Sequence, residues 1–248
     1  MNELFGFTRD VVKERYALRT PSGFVPSYLP GWSGAVSIVQ ISEAMGAHFC
    51  QLFVTLQKGG EGEGETGELE FLVYVLGGGC AAELAGKRYS LKAGSYAYIP
   101  SATRFHFRQP RPGTQLLFFQ KRFVPLAGAA KPEVLVGNEG EVEGKPFLGN
   151  EDARLQVLLP DRPEFDMAVN IFTYQSGATL PFVETHIMEH GLVMLEGQGI
   201  YRLDADWHPV RAGDVIWMAP YCPQWFVAMG KTPSAYIYYK DVNRSPLA

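Results

Sequence analysis

The segment PFVETHIMEHG, Pro181 to Gly191, carries two imidazoles and two carboxylates: His186, His190, Glu184 and Glu189. Two geometries compete for it. His186-Ile-Met-Glu189-His190 fits the H-x-x-E-H pattern of inverted zinc proteases, in which histidines four apart share a helical face. Pro181 and Gly191 leave little room for a helix, however, and Val183, Thr185 and Ile187 are β-branched at every second position. The strand reading prevails. In an extended chain Glu184, His186, Met188 and His190 point the same way, because side chains alternate with period two. A carboxylate and two imidazoles on one buried face need partners, and a metal ion supplies one.

The elements that must position these residues emerge from an internal repeat. EFLVYVLGGG from Glu70 lies 120 residues before HGLVMLEGQG from His190, with Gly77 over Gly197 and Gly79 over Gly199. LKAGSYAYIP (Leu91 to Pro100) falls under VRAGDVIWMAP (Val210 to Pro220), so that Gly94 matches Gly213. LLFFQK (Leu116 to Lys121) falls under AYIYYK (Ala235 to Lys240). Each copy alternates apolar and polar residues between Gly, Pro and Asp punctuation, the pattern of strands and turns. At this register the first copy lacks the candidate site: Gly64 stands under Glu184, Thr66 under His186, Glu70 under His190, Phe105 under Gln224 and Lys121 under Lys240. The expected fold is all-β, with two tandem barrels in one chain.

Composition agrees. The 248 residues contain 27 Gly and 17 Pro, well above the usual combined share of roughly 12 per cent. Helical signal is limited to Thr8 to Tyr16, where Thr8 could cap a short turn. Gly59 to Gly67, GGEGEGETG, reads as a mobile, solvated loop tip. The net charge of -4 and the lack of a basic stripe argue against a nucleic-acid partner. The absence of a long apolar run argues against a membrane span and, at the N-terminus, against a signal peptide. Cys50, Cys80 and Cys222 are odd in number and lack CxxC spacing, which fits a reducing, cytoplasmic setting. His48, His106 and His208 read as structural or exposed, Glu189 as solvated or supporting, and Cys222 as a small buried hydrophobe.

Spacing then extends the site. Six residues separate His190 from Gly197, and Gln224 lies eleven positions after Gly213. These intervals resemble the two motifs of the cupin barrel, with Glu184, His186, His190 and Gln224 at the four ligand positions. ETHIMEHGLVMLEGQGIYRLDADWHPVRAGDVIWMAPYCPQ and SAYIYYKDVNR, with the opening RDVVKERYALRTPSGFVPSYLPGW, are similar to the (S)-ureidoglycine aminohydrolase family of bicupins over nearly the whole chain.

That resemblance implies a jelly-roll-type bicupin: an N-terminal arm (1–45), a barrel without metal (46–126), a linker (127–160) and a metal-bearing barrel (161–248). It implies one Mn2+ per chain on Glu184, His186, His190 and Gln224. Substrate contacts fall on Glu184, Tyr201, Gln224, Tyr236 and Lys240, with Glu184, Tyr236 and Lys240 nearest the chemistry. It also implies a small anionic ureido substrate and association into homo-oligomers. The implied reaction replaces the amine of (S)-ureidoglycine with hydroxyl during purine (allantoin) degradation. An Fe(II) cupin dioxygenase is the enzymatic alternative, since two His and a carboxylate also suit O2 chemistry. A non-catalytic binding bicupin is the other.

Overall fold

The computed structural model describes residues 6–246. They form an all-β chain whose helical turns are three-residue 3-10 segments: Pro21–Gly23, Glu43–Met45 and Glu139–Glu141. The first barrel is a nine-stranded sheet. Its strands run Leu135–Asn138, Ser95–Ile99, Leu69–Gly77, Gln115–Arg122, Phe49–Glu65, Arg104–Arg108, Gly79–Leu84 and Lys87–Lys92, with Trp32–Ile41 alongside Phe49–Glu65. The second barrel joins an eight-stranded sheet to a three-stranded one. The larger runs Val11–Val12, Tyr16–Arg19, Val215–Met218, His190–Glu196, Ser234–Asp241, Met167–Tyr174, Asn150–Val157 and Lys145–Phe147; the smaller runs Asp206–Arg211, Gln198–Leu203 and Gln224–Met229. Among the described residues, no helix is long and apolar enough to cross a membrane.

The central strands bury both faces. Along Ser234–Asp241, Tyr236 and Tyr238 point into the second barrel with Phe172, Tyr174, Leu192 and Tyr201. Ile237 and Tyr239 point the other way, into a core shared with Phe49, Leu72, Leu117 and Phe119 of the first barrel. The two barrels therefore pack through their large sheets. Each keeps its own interior, that of the first being lined by Val54, Phe71, Phe107 and Phe118. Burying side chains of this size stabilises by about 1.5–3 kcal/mol each.

Several expectations change. Thr8 to Tyr16 is not helical: Val11–Val12 pairs with Tyr16–Arg19, and the Thr8 hydroxyl accepts the Asp10 N–H in a local turn. Tyr16–Arg19 in turn pairs with Val215–Met218, so the start of the arm expected at 1–45 completes the second barrel; residues 1–5 of that arm lie outside the described residues. Its later part, Trp32–Ile41, belongs to the first. Within 127–160, Leu135–Asn138 extends the first barrel and Asn150–Val157 the second.

The Gly-rich run is not a loop either. Gly59 to Glu65 continues the strand Phe49–Glu65, with Glu61 and Gly62 pairing Ser33 and Trp32, and Gly62 to Glu65 pairing Phe107 to Arg104. Its glycines answer to packing: a Cβ on Gly62 would come within 2.0 Å of the Trp32 ring. That ring stacks on Phe107 at 5.9 Å and meets Phe118 edge-on at 5.7 Å. By contrast, Gly94 and Gly213 hold the shared turn of the two copies, with φ of +79° and +89°, where a side chain would be strained.

The largest correction concerns the register of the repeat. Lys121 opposes Glu70 and Lys240 opposes His190, which looks like equivalence. Their faces are opposite. Glu70 lies on the side of Leu72 and Tyr74, in the core between the barrels, whereas His190 lies on the side of Leu192 and Met194, inside its barrel. A one-residue slip sends every side chain to the other face. The interior counterparts of His190 and Lys240 are thus Phe71 and Gln120, themselves directly opposed. Glu70 corresponds instead to Glu189.

Candidate active site in the second barrel

Pro181 to Glu189 is extended but mostly unpaired, and the regular strand starts only at His190. Glu184 forms an isolated antiparallel bridge with Gln224, each N–H donating to the other's carbonyl at 2.9 Å. Burial still alternates from Val183 to Met188, with the even-numbered residues the more covered, so the period-two reading survives without the full ladder. A bend at Ile187 takes Met188 off the ligand face. It lines a crevice of about 500 Å³ between the barrels, with His48, Lys121 and Asp166.

Further ties hold the chain at the site. The Tyr221 N–H donates to the His186 carbonyl at 2.7 Å. Tyr221 itself adopts φ +60°, rare for a side-chain-bearing residue. The Arg15 guanidinium, reaching over from the arm, donates to the Tyr221 carbonyl. The N-terminal segment thus braces the turn that carries Gln224.

Within the barrel the His186 and His190 rings stack with centroids 4.8 Å apart, and Gln224 Nε2 lies 3.1 Å from His186 Nε2. Tyr238 also stacks on His190, at 5.5 Å and nearly parallel. Burial pushes both imidazoles below their ordinary pKa, His190 strongly; Lys240 adds to this at both rings, and His186 adds to it at His190. The shift favours the neutral ring, the form that ligates a metal. Burial raises the Glu184 carboxyl, with Lys240 opposing. Burial also raises Tyr174, Tyr201, Tyr236 and Tyr238, so these phenols stay protonated and act as hydrogen-bonding groups rather than bases. The Tyr174 and Tyr236 hydroxyls are 3.0 Å apart.

The donor chemistry suits a divalent cation: His186 Nδ1 and His190 Nε2 are buried without a hydrogen-bond partner among the described residues. Convergence is incomplete. No group of three His, Cys, Asp or Glu side chains among the described residues is arranged to hold a metal, so Glu184 does not close on the two histidines as a triad. A ligating Gln224 would also have to turn its amide to present oxygen.

Elsewhere, Glu189 is buried, not solvated. It accepts the Trp217 indole N–H at 2.8 Å and the His48 N–H at 3.0 Å, linking the barrels. His48 is exposed, His106 meets Glu61 at 3.2 Å and His208 meets the Tyr16 hydroxyl at 3.0 Å. Cys222 is buried, and burial raises its thiol pKa. Sequence reasoning passed over Asn170, Tyr174 and Tyr238. Alternation along AYIYYK puts Tyr238 beside Tyr236 and Lys240, and Asn170 is the one amide in the otherwise apolar MAVNIFTY; either signal could have found them.

No protein-family model matches the chain. It is 39% identical over 250 residues to a probable (S)-ureidoglycine aminohydrolase of Oryza sativa subsp. japonica, covering 100% of this chain and 79% of that one. It is 35% identical over 255 residues to (S)-ureidoglycine aminohydrolase of Escherichia coli K12, covering 98% and 97%. Among solved structures, protein Ylba of E. coli superposes with TM-score 0.86 at 33% identity over 96% of both chains. Oxalate decarboxylase of Bacillus subtilis, which has Mn(II) centres, superposes with TM-score 0.72 at 11% identity over 92% of this chain and 78% of that one, a likeness of fold alone. The shared bicupin architecture and the full-length identity lead to one conclusion: the chain belongs to the (S)-ureidoglycine aminohydrolase family.

Proposed function

We propose that this chain is a Mn2+-dependent (S)-ureidoglycine aminohydrolase, converting (S)-ureidoglycine and water to (S)-ureidoglycolate and ammonia in purine degradation. We further propose that it works in the cytoplasm as a homo-oligomer on a small anionic substrate, with no nucleic-acid or membrane partner. The observation that carries the reading is the stacked pair of imidazoles, half-buried His186 and buried His190, beside Gln224 and near Lys240, in a chain of this family. Glu184, His186, His190 and Gln224 would hold the metal. Bound there, Mn2+ would supply Lewis acidity toward a chelating ligand.

The side chains divide the remaining work. Lys240 attracts and orients the substrate carboxylate, together with Tyr236 and Tyr201. Lone-pair push from the ureido nitrogen breaks the bond from the central carbon to the amine. The amine, bound as its ammonium, departs with the bonding pair as neutral ammonia. Water then forms the new C–O bond and gives its proton to Glu184, whose burial makes it a stronger base.

The test is an ammonia assay on fresh (S)-ureidoglycine together with metal analysis. We expect ammonia with the ureido group retained in the product and about one manganese per chain. Oxygen uptake without ammonia release would overturn the reaction, and full activity after metal stripping would overturn the cofactor.

A further inference from the structure

Inside the second barrel, Asn170 and Tyr238 stand directly opposite each other on neighbouring strands, and Asn170 Nδ2 donates to the Tyr238 hydroxyl at 3.1 Å. Asn170 is only 4% exposed, yet its Oδ1 has no hydrogen-bond partner among the described residues. An amide oxygen buried without a donor costs about 1–3 kcal/mol and calls for a partner. This one sits on the interior face with Phe172 and Tyr174, in the same core cluster as Tyr201 and Tyr236. Its partner Tyr238 stacks on His190, and Glu184 acts electrostatically on the Tyr238 phenol.

The first barrel supplies a control. The residue equivalent to Tyr238 there is Phe118, and Leu52 opposes it. Both are buried apolar side chains, and both line a small aromatic pocket with Trp32 and Phe105. Strand geometry alone therefore does not call for a polar pair at this place. It is present only in the barrel that has the imidazoles.

We infer that Asn170 and Tyr238 form the recognition site for the carbamoyl edge of the substrate's ureido group, with Asn170 Oδ1 accepting from its terminal NH2 and the Tyr238 hydroxyl donating to its carbonyl. This rests on the proposed function. With its oxygen already accepting from Asn170, the Tyr238 hydroxyl keeps its hydrogen to give away. The pair thus presents one acceptor beside one donor, the complement of a primary amide edge. Were the Asn170 amide turned over, the pair would still offer one donor and one acceptor. A ligand with methyl in place of NH2 would leave the Asn170 oxygen buried and unpaired, and a site built on hydrogen bonds discriminates strongly against such analogues.

The test uses two stable ligands that differ only there, N-carbamoylglycine and N-acetylglycine, titrated by calorimetry into the manganese-loaded protein. Wild type is expected to bind the carbamoyl ligand about tenfold more tightly. Asn170→Leu should bring the ratio close to one while metal content and Tm stay normal. Tyr238→Phe, which removes one hydroxyl and serves if Asn170→Leu fails to fold, should weaken both ligands alike by about three- to tenfold. A wild type without preference, an Asn170→Leu that keeps it, or a Tyr238→Phe that binds both ligands as before would overturn the assignment. If wild type releases no ammonia from ureidoglycine, the proposed function has failed; ammonia release with an unmoved ratio defeats this inference alone.

Discussion

The two barrels share a strand plan and differ in what lines it. Where the second carries Glu184, His190, Gln224 and Lys240, the interior of the first carries Gly64, Phe71, Phe105 and Gln120, and Trp32 packs against Phe105 and Phe118. One interior is finished by aromatic contact. Among the described residues, the other keeps partnerless polar atoms on Asn170, His186 and His190, as the junction does on Gln40, Gln51, Asp166 and Tyr239, while the first interior has none. Uncompensated burial is unfavourable, so the difference between the two interiors points to the second as the one that accommodates a ligand.

Between the barrels the copies do resemble each other chemically. Tyr98 donates to Glu70 at 2.5 Å and Trp217 donates to Glu189 at 2.8 Å. Each carboxylate belongs to a set that reaches the opposite unit: Glu189 accepts from His48, while Lys121 bonds both Glu70 and Asp166. Duplication has preserved a buried carboxylate at the junction and diversified the interiors.

The contrast between the two lysines is the strongest way to test this picture. Removing Lys121 leaves Asp166 buried at the junction without its cation and Glu70 without its Lys121 contact, so Lys121→Ala should destabilise the fold by about 3–5 kcal/mol while KM of the folded enzyme stays unchanged. Lys240 makes no ion pair among the described residues and is partly exposed. Lys240→Ala should raise KM about tenfold and leave urea denaturation and metal content alone. Interchanged phenotypes would mean that the face assignment is wrong.

Glu184→Gln comes next in size. Losing the proton acceptor should lower kcat about 100-fold or more, with some metal retained through the amide oxygen. Kinetics paired with metal analysis separates the two roles, and near-wild-type kcat would remove Glu184 from proton transfer.

The smallest effect concerns Glu70, whose carboxyl is pushed up to about 8, first by burial and then by Asp166, from an ordinary 4.5. Between those values the folded chain holds a proton that the unfolded chain releases. Its contribution is therefore complete below about pH 4.5 and is lost as pH rises through about 8. The neutral histidines of the second barrel slope the opposite way, since depressed imidazole pKa values favour the fold at higher pH. Glu70→Gln isolates the junction: its stability relative to wild type should improve by an amount on the order of 1 kcal/mol between about pH 5 and pH 8, measured by denaturation at each pH. A flat difference would place the shared proton elsewhere.

Much of this was legible in the sequence because it is written over short distances. The period-two pattern around Glu184 and His186, the Gly94 and Gly213 turns and the recurrence of apolar strands specify an all-β duplication and single out the second copy. Tertiary structure decided the rest. Glu70 and Lys121 match His190 and Lys240 as letters, but burial of both sheet faces fixes which side each occupies, and a slip of one residue exchanges interior for junction. Gly59 to Glu65 looks like a loop until Trp32, from a distant segment, lies across Gly62. The arm completes the second barrel because Val215–Met218 has an open edge that Tyr16–Arg19 pairs. Local spacing can encode an alternation or a turn; which face meets which partner depends on contacts between segments up to some 200 residues apart, such as Arg9 with Asp214, and only the folded chain brings those together.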